Sequence, residues 1–215
     1  MPKALISTLG FDEKFCYRAI LRHGIREDDK VILITAKLVE RTLKAFEMIR
    51  NFLISSYGSK VSIEVVEVDV KNIIGSIESV MLRLNQLKGY ELIVNLSGGM
   101  RALILITLLA LLLRRPNNIK VEMELEDLSG VIEVSKSLLN APLLTLELSD
   151  EKKKILKLIR EGVREVEPLA NKLRRDVSTI RRHVSDLEEI GLLIVEKRKP
   201  IRVKPTPLAK LILLS

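Results

Sequence analysis

Two hydrophobic periodicities alternate along the first 135 residues of the chain. Short apolar runs are typical of buried strands, and longer stretches with apolar residues three and four positions apart are typical of helices. The predicted strands cover 4–8, 31–35, 61–68, 91–96, 120–125 and 131–134. The predicted helices cover 11–23, 38–57, 73–87 and 100–113. This alternation indicates an α/β fold with a mostly parallel sheet covered on both faces.

The alternating pattern ends near Pro142, and the elements that follow are shorter and mainly helical. We therefore expect a first domain over 1–142, a linker over 143–149 and a second domain over 150–215. Ser149 is a typical N-cap residue and predicts that a helix begins beside it. The remaining predicted elements are helices over 167–173 and 179–190, a two-stranded ribbon over 194–204 and a last helix over 208–214.

Charge is distributed unevenly between these two domains. The chain carries 36 Lys and Arg against 28 Asp and Glu, and residues 146–215 alone hold 17 basic and 11 acidic side chains. This basic excess predicts a polyanionic partner for the second domain. The single Cys16 excludes a disulfide framework, and with only His23 and His183 besides it a zinc cage is excluded too.

The apolar stretches are too short for membrane insertion or secretion. The longest uncharged one, 102–113, has 12 residues, whereas a membrane helix needs about 20. The run from Lys3 to Thr8 is too short for a signal peptide. We therefore expect a cytoplasmic protein without a membrane partner. Because the helix over 100–113 is apolar on nearly every side, we also expect it to pack between the sheet and a second subunit.

Two loops are predicted at the carboxyl ends of strands, where open α/β sheets bind ligands. They are Thr8-Leu9-Gly10-Phe11 and Asn95-Leu96-Ser97-Gly98-Gly99-Met100-Arg101. The paired glycines allow the backbone to approach a ligand, and the next helix offers its N-terminal N–H groups to an anion. Arg101 stands where the helix dipole disfavours a cation, which predicts a ligand phosphate or an acidic neighbour. Lys37, at the end of the second strand, could reach the same crevice.

The second domain contains a helix with two different faces. Its apolar stripe consists of Ile180, Val184, Leu187 and Ile190, and its polar face carries Ser178, Thr179, Arg181, Arg182 and Ser185. Arginines in such a helix can reach base edges in a major groove, while the hydroxyl groups contact phosphates. The ribbon tip carries Lys197, Arg198 and Lys199, which would neutralise backbone phosphates. The alternative is a solvated basic face on a dimerisation module, and His183 is interpreted as a packing residue.

The segment from Ser178 to Leu193, followed by the basic ribbon, resembles the recognition helix and wing of the winged helix-turn-helix family. The two loops and the order of elements in the first domain resemble the CARF domain, a CRISPR-associated Rossmann-like sensor. The whole chain is similar to the archaeal CARF–winged-helix regulators of CRISPR-Cas loci. The resemblance implies a homodimer that binds a cyclic oligoadenylate, with the tetra-adenylate expected, and that binds double-stranded promoter DNA through its winged helices.

The resemblance also implies which residues bind each ligand. The implied cyclic oligoadenylate contacts are Thr8, Leu9, Gly10, Phe11, Asn95, Leu96, Ser97, Gly98, Gly99, Met100 and Arg101. The implied DNA contacts are Ser178, Thr179, Arg181, Arg182, Ser185, Lys197, Arg198 and Lys199. No catalytic residue, metal or cofactor is expected, and the nucleotide would act as a regulatory ligand.

Three other functions remain open at this point. Some CARF domains resemble ring nucleases that cleave their own ligand without metal, which requires positioning and charge stabilisation more than a base. A dinucleotide-sensing repressor would need a Gly-x-Gly-x-x-Gly fingerprint that the chain lacks. A structural partner of an interference complex would bind nucleic acid without specificity. Glu122, Glu124 and Glu126 alternate along a strand and are predicted to form a solvated face rather than a catalytic pair.

Overall fold

The computed structural model describes residues 1–58 and 60–214. The chain divides into two compact units, Met1–Lys136 and Ser137–Ser215, and each is described by itself. The described part contains no helix long and apolar enough to cross a membrane.

Over 1–58 and 60–136, the first unit is a six-stranded sheet flanked by four helices. Its strands are β1 (Lys3–Thr8), β2 (Lys30–Thr35), β3 (Ser62–Glu67), β4 (Glu91–Asn95), β5 (Ile119–Glu124) and β6 (Val131–Val134). Its helices are α1 (Lys14–His23), α2 (Glu40–Tyr57), α3 (Ile73–Asn85) and α4 (Arg101–Arg114). The strand order is β3-β2-β1-β4-β5-β6, and only β6 runs antiparallel to its neighbour. The expectation of an α/β, Rossmann-like, mostly parallel sheet is therefore confirmed.

The central strands are apolar because both faces of the sheet are covered. Leu5 shares one buried cluster with Ile20 of α1 and Ile49 of α2. Ile6 and Ile32, which alternate to the other face, are also buried. There α4 packs on β1 and β2, and α3 packs against α4.

Helix α4 buries one side and leaves leucines on another. Leu103, Ile106 and Ala110 are buried in the sheet interface, whereas Leu105 is 52% exposed and Leu113 is 63% exposed. Within one chain, the apolar residues of α4 are therefore buried on the side that faces the sheet, and the leucines on another side stay exposed. Contact of those leucines with a second subunit stays a prediction.

The prediction of a solvated face on β5 is wrong for two of its three glutamates. Glu122 and Glu124 are buried beneath α1, and only Glu126 is exposed. Arg18 and Arg22 balance their charges, and His23 forms a hydrogen bond with Glu122; all three side chains project from α1. Acidic residues that alternate along a strand indicate a solvated face only where no basic helix covers that strand.

As far as residue 214, the second unit contains helices and an antiparallel hairpin. The helices are α5 (Lys136–Glu147), which begins at the boundary, α6 (Asp150–Arg160), α7 (Val166–Leu173), α8 (Val177–Glu189) and α9 (Pro207–Ile212). The hairpin pairs β7 (Leu193–Arg198) with β8 (Ile201–Pro205). Its core includes Ile155, Leu169, Ile180, Leu187 and Val203. Ser149 caps α6 by accepting a hydrogen bond from the Lys152 backbone N–H, as its sequence position predicts.

The segment around Pro142 differs from the expected linker. Residues 143–147 belong to α5, and the boundary between the compact units falls after Lys136 instead of after Pro142. Proline in a helix removes one N–H donor and costs about 3 kcal/mol. Leu139 and Ala141, which precede Pro142 in the same helix, are buried, and burial of apolar side chains acts against this cost.

Candidate functional site

A cavity of about 720 Å³ opens at the carboxyl ends of the parallel strands. It lies beside β1 and β4, neighbours in the sheet whose following helices, α1 and α4, cover opposite faces. This reversal is the topological switch point, where open α/β sheets bind ligands. The cavity is lined by Leu9, Gly10, Phe11, Asp12, Lys14, Phe15, Thr35, Ala36, Lys37, Val39, Thr42, Ser97, Gly98, Gly99, Met100, Leu103 and Glu126.

Two backbone loops meet at the floor of this cavity, and their contact requires glycine. A Cβ on Gly10 would lie 2.8 Å from the Gly99 Cα atom, and one on Gly98 would lie 2.7 Å from the Thr8 carbonyl oxygen. Gly99 also has a φ of +84°, which L side chains rarely adopt. The loops after β1 and β4 therefore fit together only without side chains at these positions.

Polar side chains behind the floor hold the β4 loop in place. The Thr8 hydroxyl donates to the Gly98 carbonyl at 2.6 Å. The Asn95 side-chain oxygen accepts from the Ser97 backbone N–H at 3.2 Å, and the Ser97 hydroxyl accepts from the Glu124 backbone N–H at 2.7 Å. These contacts hold the loop from within the protein.

The predicted ligand contacts therefore divide into three groups. Leu9, Gly10, Phe11, Ser97, Gly98, Gly99 and Met100 line the cavity. Thr8, Asn95 and Leu96 are buried instead of lining it: Thr8 and Asn95 end β1 and β4, and Leu96 follows directly. Arg101 is exposed and lies between the lining residues Met100 and Leu103. Within 1–58 and 60–214 its side chain makes no ion pair or hydrogen bond, so no acidic side chain of these residues pairs with it.

The cavity is rich in groups that bind anions. The N-terminal turns of α1, α2 and α4 all contribute to its lining, and neither Val39 nor Met100 supplies a side-chain cap to the helix that it precedes. Uncapped N–H groups and the helix dipole favour a negative ligand. Lys37 is exposed at the cavity and has no side-chain ion pair in the described part of the chain.

Asp12 and Lys14 form an ion pair at the rim, with 3.0 Å between Asp12 Oδ2 and Lys14 Nζ. Partial burial acts to raise the pKa of Asp12, but hydrogen bonds from the Lys14 backbone and side chain outweigh it and hold this pKa below its ordinary value. Asp12 therefore stays ionised at neutral pH, and its charge is compensated locally.

Exposed aromatic surface stands beside these cations. Phe11 is 61% exposed, and the Arg41 guanidinium lies 5.7 Å from its ring centroid. Lys14 Nζ lies 5.1 Å from the ring centroid of Phe15. Flat apolar rings next to cations can stack on nucleobases and can pair with phosphates at the same time.

Several lining residues were not predicted from the sequence. Most lie at the start of α1 or between the end of β2 and the first turn of α2, whereas Leu103 belongs to α4 and Glu126 follows β5. These lining residues are Asp12, Lys14, Phe15, Thr35, Ala36, Val39, Thr42, Leu103 and Glu126. The carboxyl end of β2 adjoins that of β1, so the strand order alone would have pointed to the segment after Thr35.

The described lining contains no histidine or cysteine, and no cluster of metal ligands occurs in the described residues. The cavity is therefore suited to hold an anionic, partly aromatic ligand through backbone N–H groups, lysine and stacking.

The predicted DNA contacts lie on the surface of the second unit. Ile180, Val184 and Leu187 of α8 are buried in the core, as their spacing predicts. Ser178, Arg181, Arg182 and Ser185 are exposed, Thr179 is half-buried, and Lys197, Arg198 and Lys199 are exposed at the hairpin tip. Arg181 pairs with Glu167 at 3.3 Å, a solvent-exposed contact. His183 is nearly buried and lies 3.4 Å from Glu151, so it packs between α8 and α6.

The sequence of the first unit decides its family. Residues 3–135 match the Csa3 CRISPR-associated Rossmann-like domain, a match that covers more than half of the chain. The chain belongs to the Csa3 family. No curated protein matches the chain. The Csa3-type domain is thus the sheet, the glycine loop and the cavity described above.

Two solved structures are similar to this Csa3-family chain at low sequence identity. Enterococcus italicus Csm6 bound to cyclic hexa-2'-fluoro-hexa-dAMP has a TM-score of 0.49 and 13% identity, over 88% of this chain and 55% of that one. Can2 from Sulfobacillus thermosulfidooxidans in complex with cyclic tetra-adenylate has a TM-score of 0.46 and 10% identity, over 98% of this chain and 63% of that one. The chain spans less than two thirds of the length of either protein.

Proposed function

We propose that the Csa3-type domain senses a cyclic oligoadenylate, with the tetra-adenylate as the expected ring. The observation that carries this proposal is the cavity at the switch point, where a glycine floor meets uncapped helix N-termini. Such N-termini favour phosphates, Lys37 adds a cation, and Phe11 offers a stacking surface for adenine. These groups match the repeating chemistry of a ring of nucleotides.

We further propose that two chains share the ligand as a homodimer. Pockets of about 300–1,000 Å³ bury drug-sized ligands, and a ring of four nucleotides is considerably larger than such a ligand. The cavity of one chain, at about 720 Å³, would hold half of the ring, and a two-fold axis would supply the other half. The exposed Leu105 and Leu113 of α4 offer apolar surface for the contact between the two copies.

The proposed site binds its ligand and does not cleave it. Nucleolytic attack by a ribose hydroxyl needs a proton acceptor or a strong charge stabiliser at the scissile phosphate. Of the two carboxylates in the described lining, Asp12 is paired with Lys14, and Glu126 is exposed at the rim. Incubation with cyclic tetra-adenylate and chromatography would leave the ring intact under this proposal. Linear product over several turnovers would instead support the ring-nuclease alternative.

The ligand test uses an optical property of the sequence. The three tyrosines, Tyr17, Tyr57 and Tyr90, all lie in the first unit, and the chain has no tryptophan. Thermal unfolding followed by tyrosine fluorescence therefore reports on the Csa3-type domain. A ligand at 100 times its Kd adds about 2.7 kcal/mol, which is a rise of several degrees in Tm.

The panel would contain cyclic tri-, tetra- and hexa-adenylate, linear oligoadenylate, NADH and ATP. The expected result is a rise with the cyclic tetra-adenylate that Lys37→Ala reduces. Lys88→Ala, which removes another exposed lysine of the same domain outside the cavity lining, is the matched control. A panel without any shift from a cyclic species contradicts the sensor proposal, and a shift with NADH alone replaces it by a dinucleotide sensor.

We propose that the second unit is a winged helix-turn-helix domain that binds promoter DNA of CRISPR-Cas loci, so that the ligand modulates transcription. The supporting features are a buried stripe on α8 opposite an exposed face with Arg181 and Arg182, and a hairpin tip with three adjacent basic residues. The ion pair between Arg181 and Glu167 is exposed, so it costs little to exchange it for a base or a phosphate.

The DNA test compares affinities for CRISPR-proximal promoter duplexes and for a random duplex of equal length. A specific regulator prefers one promoter sequence by at least about a thousandfold, and Arg182→Ala lowers that affinity about tenfold or more. Lys210→Ala, on α9, removes an equal charge away from α8 and the hairpin tip and is the matched control. Equal affinity for all duplexes would instead indicate the nonspecific structural partner.

A further inference from the structure

A buried carboxylate lies directly behind the glycine loop without touching the cavity. Glu122 of β5 is 1% exposed. Its Oε1 atom accepts from Arg22 at 2.8 Å and from the side-chain amide of Asn95 at 3.1 Å. Its Oε2 atom accepts from His23 Nε2 at 2.8 Å. All three partners donate, which is what an ionised carboxylate requires.

The other end of the Asn95 amide faces the loop. Its Oδ1 atom accepts from the Ser97 backbone N–H at 3.2 Å. An asparagine amide has one donating end and one accepting end, and a rotation by half a turn would place N–H₂ against N–H. A carboxylate can only accept, so it determines which end of the amide turns toward it and which end remains for Ser97.

We propose that Glu122 is a positioning residue for the ligand loop. By accepting from Asn95 Nδ2 it orients the amide so that Asn95 Oδ1 holds the Ser97 N–H, and Ser97 begins the Ser97–Gly98–Gly99 segment that lines the cavity. The loop is thereby shaped by a residue on a neighbouring strand that does not line the cavity. The positioning of the loop stands by itself, and its effect on affinity rests on the proposed function.

Glu124 is the natural comparison, because it is equally buried on the same strand. Its side chain accepts from Arg18 and from Arg22, and neither oxygen contacts the loop. Only its backbone N–H reaches Ser97, and a side-chain substitution leaves that group in place. Replacing Glu124 thus removes a buried charge of the same kind without removing the acceptor that Asn95 uses.

The first experiment measures hydrogen exchange of the Ser97, Gly98 and Gly99 amides in the full chain without ligand. Glu122→Met removes the acceptor, so the Ser97 amide should exchange about tenfold faster, which corresponds to the loss of one hydrogen bond. Glu122→Gln keeps an acceptor oxygen for Asn95 and Arg22, and should protect the loop nearly as well as the wild type does. Glu124→Met should lower stability while leaving the exchange of the three amides within about twofold.

The second experiment measures the Kd for cyclic tetra-adenylate, with the same expected order among the variants. If the wild type binds no cyclic oligoadenylate, the proposed function fails, whereas the exchange data still decide the positioning role. If Glu122→Met does not fold, Glu122→Asp replaces it, because the shorter side chain keeps the charge but withdraws the carboxylate from Asn95 Nδ2. The proposal is overturned if loop exchange in Glu122→Met equals that in Glu124→Met, if Glu122→Gln exchanges as fast as Glu122→Met, or if Glu122→Asp leaves Ser97 as protected as in the wild type.

Discussion

The buried carboxylate of Glu122 makes the stability of the first unit depend on acid in a defined range. Burial acts to raise its pKa, but hydrogen bonds from His23, Arg22 and Asn95 lower it from the ordinary 4.5 to about 2. At about 1.4 kcal/mol per pH unit, the ionised side chain contributes about 3 kcal/mol to the free energy of unfolding at neutral pH.

The direction of the pH effect follows from the lowered pKa. The contribution is complete above about pH 4.5, where the unfolded chain is ionised too, and it declines as the pH falls toward about 2. We expect more than half of it to be lost by about pH 3. Urea unfolding followed by tyrosine fluorescence measures this in the first unit, for the wild type and for Glu122→Gln at pH 7, 4.5 and 3.

The free energy of unfolding of Glu122→Gln should therefore be about 3 kcal/mol lower than that of the wild type at pH 7. This difference should shrink to about 1 kcal/mol at pH 3. Glu133→Gln is the matched control, because Glu133 lies opposite Glu122 on β6 but is exposed and pairs with Lys120. It should change the free energy by less than about 1 kcal/mol at each pH. A difference between wild type and Glu122→Gln that is constant with pH would refute the reasoning.

Three further predictions concern the first unit. Gly10→Ala should lower the free energy of unfolding by about 1–3 kcal/mol, because the added Cβ meets the Gly99 backbone. Gly130→Ala, whose added Cβ would have its nearest neighbouring atom at 4.0 Å, should be neutral or slightly stabilising in the same urea assay. Burial raises the pKa of the Cys16 thiol to about 12, so iodoacetamide at pH 8 should label it only in unfolded protein, and rapid labelling of folded protein would contradict this. Asp29→Ala should cost about 1–3 kcal/mol, since the backbone N–H groups of Lys3 and Arg26 lose their acceptor, and an unchanged Tm would contradict it.

The sheet and the glycine loop could be predicted because their signals are local. The alternation of short apolar runs with helices is enough to place Gly98 and Gly99 at the end of a strand. It does not give the strand order unless topology rules are added. The steric reason for those glycines, contact with the loop after β1, depends on β1 and β4 being neighbours. The residues that follow Thr35 line the cavity because β2 is also a neighbour of β1 in the sheet. No local sequence pattern reveals this neighbourhood.

Two elements could not be predicted because a local pattern pointed elsewhere. Glu122 and Glu124 resemble a solvated edge, and only the position of α1 above β5 shows why they are buried. The sequence signal for this burial is the spacing of Arg18 and Arg22, which lie one helical turn apart. That spacing alone does not indicate that the two arginines pair with a distant strand. Helix α5 was missed because the end of the strand–helix alternation near Pro142 predicts a linker over 143–149, whereas 143–147 continue the helix.

Helix α1 has a mechanical role that its place in the chain conceals. It connects β1 to β2, yet its ion pairs reach β5, on the far side of β4. Helix α1 therefore links β1 and β2, on one side of the crevice, to β5 on the other side, and its ion pairs oppose a widening of the crevice between β1 and β4. A ligand would then meet walls that are already in place and would lose little conformational entropy on binding. Under the proposed function, the shape of the crevice would select among cyclic oligoadenylates of different ring size.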